Sequence, residues 1–217
     1  MRRLPVYLLL DTSGSMQGEP LAAVKNGVEV LISTLRQDPY ALETASVSII
    51  TFGEGGANQV VRLTDLSAFQ MPDLGEADGF TPLGEAMSLL ADCIGREVVT
   101  STNEVKGDWK PIVFLLTDGA PSDDWKTGLR KLRTRKVGNI VACMAKTEHS
   151  DGREEIAILK QITEGVVMLD STDSNAIKSY FKWISSSISV SSSKIDSNVE
   201  LNGLAQLPPP PQNLQVI

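Results

Sequence analysis

The segment LLLDTSGSMQG ends an apolar run on a carboxylate, Asp11, and follows it with hydroxyls on alternate positions, Ser13 and Ser15. Two further segments bring oxygen chemistry in a similar setting. DGFTPLG (Asp78–Gly84) delivers Thr81 just before a helical pattern, and TDGAPSDD (Thr117–Asp124) places Asp118 directly after the apolar run PIVFLL. Asp11, Ser13, Ser15, Thr81 and Asp118 together supply two carboxylates and three hydroxyls. Oxygen-only donors suit a hard divalent cation, Mg²⁺ or Mn²⁺, and no soft metal. This set cannot fill an octahedral shell, so water or an acceptor from another molecule must complete it. A cation held in this way stays a Lewis acid open to an Asp or Glu of a protein partner.

These residues can meet only if the chain brings the ends of distant strands together. Val6–Leu10 reads as a strand, and Leu21, Val24, Val28, Leu31 and Leu35 then recur at helical spacing. Ala45–Phe52 and Gln59–Leu63 flank the pair Gly55-Gly56, which predicts an antiparallel hairpin. Leu83, Met87, Leu90 and Ile94 mark a helix, with Thr81 expected as its N-cap and Pro82 at its first position. Pro111–Thr117 is an unbroken apolar strand of the type buried on both faces of a parallel sheet. A helix over Trp125–Arg135, a strand over Ile140–Met144, a helix over Glu154–Ile162, a strand over Val166–Leu169 and a helix over Ala176–Ile188 complete the alternation. The pattern predicts an α/β, Rossmann-like doubly wound fold. Its central sheet is expected to be mostly parallel, of about six strands with one antiparallel edge strand, and flanked by helices on both faces. In such sheets ligands bind beyond the carboxyl ends of the central strands, where the strand order reverses.

Composition narrows the classes further. With 217 residues, 41% hydrophobic and 22% charged, the chain can bury a core without staples. Its net charge of −7 argues against general nucleic-acid binding. Cys93 and Cys143 lie far apart in apolar segments and read as small buried hydrophobes, while the lone His149 sits in a polar loop, which leaves no zinc constellation. MRRLPVYLLL copies the start of a signal peptide, but its apolar stretch is short and no small-residue cleavage site follows. No segment approaches the length of a membrane span, and the expected location is the cytoplasm. From about residue 190 the composition shifts to SVSSSKIDSN and then LPPPPQNL, so residues 191–217 are expected to form a Ser/Pro-rich tail behind a domain spanning 1–190.

D-x-S-G-S after a first buried strand, Thr81 at a helix start and T-D-G after a second buried strand resemble the metal-ion-dependent adhesion site of von Willebrand factor type A (vWA) domains. The resemblance covers roughly residues 1–190. It implies that Ser13, Ser15 and Thr81 touch the metal directly or through water, and that Asp11 and Asp118 hold coordinated waters or bind directly. DTSGSMQGEP, GFTPLGEAM, LLTDGAPSDDW and MLDSTDSNAIKSYFKWIS are similar to the TerY-type bacterial A domains associated with tellurium resistance. That similarity implies a stress-response phospho-signalling setting, with a co-encoded kinase or phosphatase as a candidate partner. The five residues include no soft ligand for tellurium, so a role in resistance would be indirect.

Other features carry two readings. The run KTGLRKLRTRK (Lys126–Lys136) is a solvated helix face or a docking surface for an anionic partner. Asp123 either shapes partner choice or complements a helix start. Tyr180, Phe181 and Ile184 read as core, and the serines of SSSISVSSSK as a flexible linker or phosphate acceptors. The expected function is a non-catalytic protein-interaction module. The alternative is a haloacid-dehalogenase-like, Mg²⁺-dependent phosphatase with Asp11 as nucleophile, although Ser13 stands where that chemistry calls for a second carboxylate.

Overall fold

Strand β1 (Leu4–Thr12) is buried along its whole length, and its side chains divide by alternation between two cores. Leu4, Val6, Leu8 and Leu10 face one, and Tyr7 and Leu9 face the other. A strand covered on both faces requires this period of two with no polar face. The computed structural model describes residues 2–145, 152–163, 165–169, 171–194, 207–211 and 214–217. His149 and the stretch 195–206 lie outside the described residues.

After β1 come α1 (Glu19–Arg36), α2 (Pro39–Thr44), β2 (Ala45–Gly53), β3 (Gly56–Asp65), α3 (Leu83–Glu97), β4 (Ile112–Thr117), α4 (Trp125–Leu132), β5 (Asn139–Ala145), α5 (Arg153–Ile162), β6 (Gly165–Leu169), α6 (Ser174–Lys194) and β7 (Leu214–Val216). The sheet order is β3-β2-β1-β4-β5-β6-β7. The strands from β2 to β6 run parallel to their neighbours, and β3 and β7 close the two edges antiparallel. Helices α1 and α6 pack over one core, and α3, α4 and α5 over the other. From β1 the chain moves outward to β2, and it later returns to lay β4 on the opposite side of β1. The strand order therefore reverses at the carboxyl ends of β1 and β4.

The structure differs from the sequence reading in several places. The sheet has seven strands rather than six, because Leu214–Val216, from the stretch read as tail, pairs with β6 and adds a second antiparallel edge. The serines after Ile184 do not form a linker. They continue α6, where Ser185, Ser187 and Ser191 are buried and donate to the carbonyls one turn back, of Phe181, Trp183 and Ser187. Back-bonding satisfies these three hydroxyls within the helix, so a serine-rich run can be core, whereas the Ser192 hydroxyl is buried without a partner among the described residues. The proline run is also docked in part, since the Trp183 indole donates to the Pro208 carbonyl (2.8 Å). Finally, α3 begins at Leu83 without a cap from Thr81, and α4 ends at Leu132 rather than Arg135.

Both cysteines are free and buried. Among the described residues no helix is long and apolar enough to cross a membrane. Helices α1 and α6 approach closely because Gly27 has no side chain where the Phe181 ring lies, and a Cβ there would overlap the ring. Replacing Gly27 with Val should cost about 1–3 kcal/mol by overpacking, read as a lower urea midpoint at unchanged m-value. A loss below about 0.5 kcal/mol, the ordinary range for surface changes, would mean that the two helices do not pack this way.

Candidate metal centre

Asp11 is the penultimate residue of β1 and is fully buried. Its two carboxylate oxygens are held separately: the Ser13 amide donates to Oδ1 (2.8 Å), and the Thr117 hydroxyl at the end of β4 donates to Oδ2 (2.6 Å). The β1–β4 register aligns Leu10 with Leu116, so the next residues, Asp11 and Thr117, emerge side by side. Asp11 thus fixes the turn that follows it and ties the two strand ends together.

Beyond β1 the chain makes one 3₁₀ turn over Gly14–Met16, which brings Ser13 and Ser15 to the same side. Their hydroxyls stand 3.2 Å apart, and Ser15 donates to Asp118 Oδ1 (2.6 Å). The other oxygen, Asp118 Oδ2, is buried with no hydrogen-bond partner among the described residues. Thr81 is buried at the mouth of α3, and its carbonyl accepts from the amides of Leu83 (2.9 Å) and Ser122 (3.0 Å). A Cβ on Gly119 would stand 3.3 Å from the Thr81 hydroxyl oxygen, so this hydroxyl faces the turn that carries Asp118. The geometry therefore links Ser13, Ser15 and Asp118 directly, sets Thr81 against the Asp118 turn, and places Asp11 behind them.

Backbone contacts hold the three loops in place. The Gly14 amide donates to Gly79 (3.1 Å), Asp78 to Thr12 (3.0 Å) and Glu54 to Asp78 (2.9 Å). Asp123 caps a helix from a distance: its oxygens accept from the Gly84 (2.9 Å) and Glu85 (2.8 Å) amides at the start of α3. This leaves the Thr81 hydroxyl free of the capping duty assigned to it from sequence. Asp124 caps α4 through the Thr127 amide (3.2 Å). Sequence reasoning missed the hydroxyl of Thr117 as a clamp on Asp11. Its one visible signal was its place at a strand end beside Asp118.

Burial pushes the Asp11 carboxyl up to about 6, against the lowering effect of its hydrogen bonds from Ser13 and Thr117, and Asp118 raises it further. Asp118 is also raised, again by burial first, although the Ser15 hydroxyl opposes it. Desolvation outweighs hydrogen bonding at both groups, and no ion pair engages either carboxylate among the described residues. No cluster of three or more His, Cys, Asp or Glu side chains lies together among the described residues. The donors that do converge are hydroxyls and carboxylates, with one carboxylate oxygen unpartnered. That set fits a hard divalent cation, whose charge would relieve the desolvation that raises both carboxyls.

The chain belongs to the von Willebrand factor type A domain family, whose family model matches residues 6–183. Members of this family serve as protein-interaction and adhesion modules. No curated protein matches the chain. Among solved structures, the pilus adhesin SpaC from Lactobacillus rhamnosus GG aligns at TM-score 0.69 and 15% identity, covering 88% of this chain and 30% of the adhesin. A von Willebrand factor type A protein from Catenulispora acidiphila aligns at 0.60 and 19% identity, covering 87% and 43%. The manganese-loaded TRAP protein of Plasmodium vivax aligns at 0.51 and 19% identity, covering 83% and 73%. The chain thus spans under a third of the adhesin's length and under half of the Catenulispora protein's.

A pH dependence follows from Asp11. Its folded-state value is raised, so in chelator it favours the folded chain below its unfolded value near 3.8, and that contribution is lost as pH rises through about 6. The effect is on the order of 2–3 kcal/mol. Denaturation of wild type and Asp11→Asn in EDTA should show the wild type losing stability relative to the variant between about pH 4 and pH 6. Parallel profiles would mean that Asp11 titrates as an ordinary exposed carboxylate.

Proposed function

We propose that Ser13, Ser15, Thr81 and Asp118, backed by Asp11, hold Mg²⁺ or Mn²⁺ as a metal-ion-dependent adhesion site, and that the chain works as a non-catalytic interaction module. The observation that carries this reading is the buried, unpartnered Asp118 Oδ2 beside the Ser13–Ser15 pair. A buried carboxylate oxygen without a donor is costly, and a bound cation supplies what the protein withholds. When bound, the cation supplies Lewis acidity that a carboxylate from another molecule can satisfy. Asp118 and the two serines orient that position, Thr81 closes it from the α3 side, and Asp11 holds the turn rigid.

The non-catalytic reading is supported by what surrounds Asp11. Both of its oxygens accept hydrogen bonds and the side chain is fully buried, so it cannot serve as the nucleophile of a phosphatase without breaking the turn it fixes. No His, Lys or Arg side chain donates to the five residues among the described ones. A general acid–base partner needs such reach. The partner is a protein presenting an Asp or Glu. The motifs DTSGSMQGEP, GFTPLGEAM and LLTDGAPSDDW support a TerY-type role in a cytoplasmic tellurium-resistance or stress-response system with a co-encoded kinase or phosphatase. The manganese-loaded TRAP structure supports the choice of a divalent ion.

Calorimetric titration of Mn²⁺ into wild type, Ser15→Ala and Asp118→Ala, with and without acetate, tests this. Saturable wild-type binding should weaken about tenfold or more in Ser15→Ala, vanish in Asp118→Ala, and strengthen with acetate. Wild-type affinity in both variants would remove these residues from the site.

A further inference from the structure

At the opposite end of the sheet from the metal centre lies a cleft of about 860 Å³. Cationic residues line it from three parts of the chain: Arg2 from the N-terminal arm, Lys106 and Lys110 from the loop between α3 and β4, and Arg135 and Lys136 from the end of the basic run after α4. The chain as a whole carries a net charge of −7, so this convergence runs against its average. Asp108, the acidic residue of the lining, is already neutralised: it pairs with Arg3 (2.7 Å) and accepts from the Val99 amide (2.8 Å).

The walls are built rather than loose. The Asp108 amide donates to the Val99 carbonyl (2.8 Å), the Gly107 amide to the Ser101 hydroxyl (3.0 Å), and the Arg2 Nε to the Gly107 carbonyl (2.7 Å). The Arg2 guanidinium lies 4.0 Å over the Trp109 ring, a cation–π contact that holds its charge at the cleft. On the α3–α4 side the Arg135 Nε donates to the Ala91 carbonyl (2.9 Å), and its guanidinium rests against Gly95, where a Cβ would stand 2.6 Å from Nη2. Trp109 is 7% exposed, and its indole N–H is buried with no acceptor among the described residues.

The geometry points to a binding site for a small organic di- or triphosphate, separate from the metal centre. Cations from the N-terminal arm, the α3–β4 loop and the end of the basic run line one cleft, and a linked pair of phosphates engages more of them at once than a single carboxylate or orthophosphate can. Thr100 and Ser101 line the same space with hydroxyls. Its volume is that of a small-molecule pocket, and the acidic balance of the rest of the chain disfavours a long polyanion running past its rim. The basic run, left open between solvated face and docking surface, thereby contributes Arg135 and Lys136 to a defined site. Its earlier residues are engaged elsewhere, as in the Lys131–Asp92 pair (2.6 Å).

Calorimetry on the full chain in EDTA, which keeps the metal centre out of the measurement, tests the site with inorganic pyrophosphate and ADP as probes. The control ligand is orthophosphate, and the variants are Lys106→Gln/Lys136→Gln, which alters only exposed side chains, and Asp118→Ala. Both probes should bind wild type saturably and more tightly than orthophosphate. Their affinity should fall about tenfold or more in the double variant and stay unchanged in Asp118→Ala. No saturable heat with either probe, or equal affinity in the double variant, would overturn the proposal. Tighter binding of a short single-stranded oligonucleotide than of either probe would overturn it in favour of nucleic acid.

Discussion

Two carboxylates are kept out of water at the ends of adjacent strands, and no basic side chain pairs with them among the described residues. Everything around the site is arranged to tolerate that charge without neutralising it. Asp11 receives one amide and one hydroxyl, Asp118 receives one hydroxyl, and burial still raises both. A fold that needed only stability would replace such a pair with apolar residues, since buried charge stabilises poorly even when it is paired. Retaining it in this form leaves a deficit of positive charge among the described residues, which the proposed cation would fill.

The scaffold makes that deficit sustainable. Parallel β1 and β4 fix the distance between the two acids, and the loops from β1, from β2 and before α3 are stitched by backbone hydrogen bonds. Asp123 extends the lattice by capping α3 from the far side of the β4 loop. Helices α3 and α4 meet through Gly84 and Gly128, where a side chain on either would run into the other's backbone. The rigidity of the site is thus set by residues that never touch the ligand position, as a preorganised binding site requires.

The doubly wound architecture and the two strand ends were legible because apolar runs and helical spacing are local signals. Val6–Leu10 and Pro111–Thr117 announced buried strands, and the oxygen-bearing residues after them could be placed by topology alone. The parts that were not legible depend on contacts between distant segments. Thr81 looked like a cap because Pro82 follows it, yet the Gly84 amide is capped by Asp123, thirty-nine positions further on. The serines of α6 looked like a linker because composition does not reveal that a hydroxyl can bond back to its own helix and be buried. Leu214–Val216 is a short segment whose strand identity comes only from the β6 edge it covers.

The central claim is that the position between Ser13, Ser15 and Asp118 is where a divalent cation sits. Anomalous diffraction at the manganese edge, from crystals of the chain grown with Mn²⁺, addresses it directly. The account predicts an anomalous peak in contact with the Ser13 and Ser15 hydroxyls, with the Ser15–Asp118 hydrogen bond replaced by contacts to the ion. A map with no peak there, and that hydrogen bond intact, would contradict it.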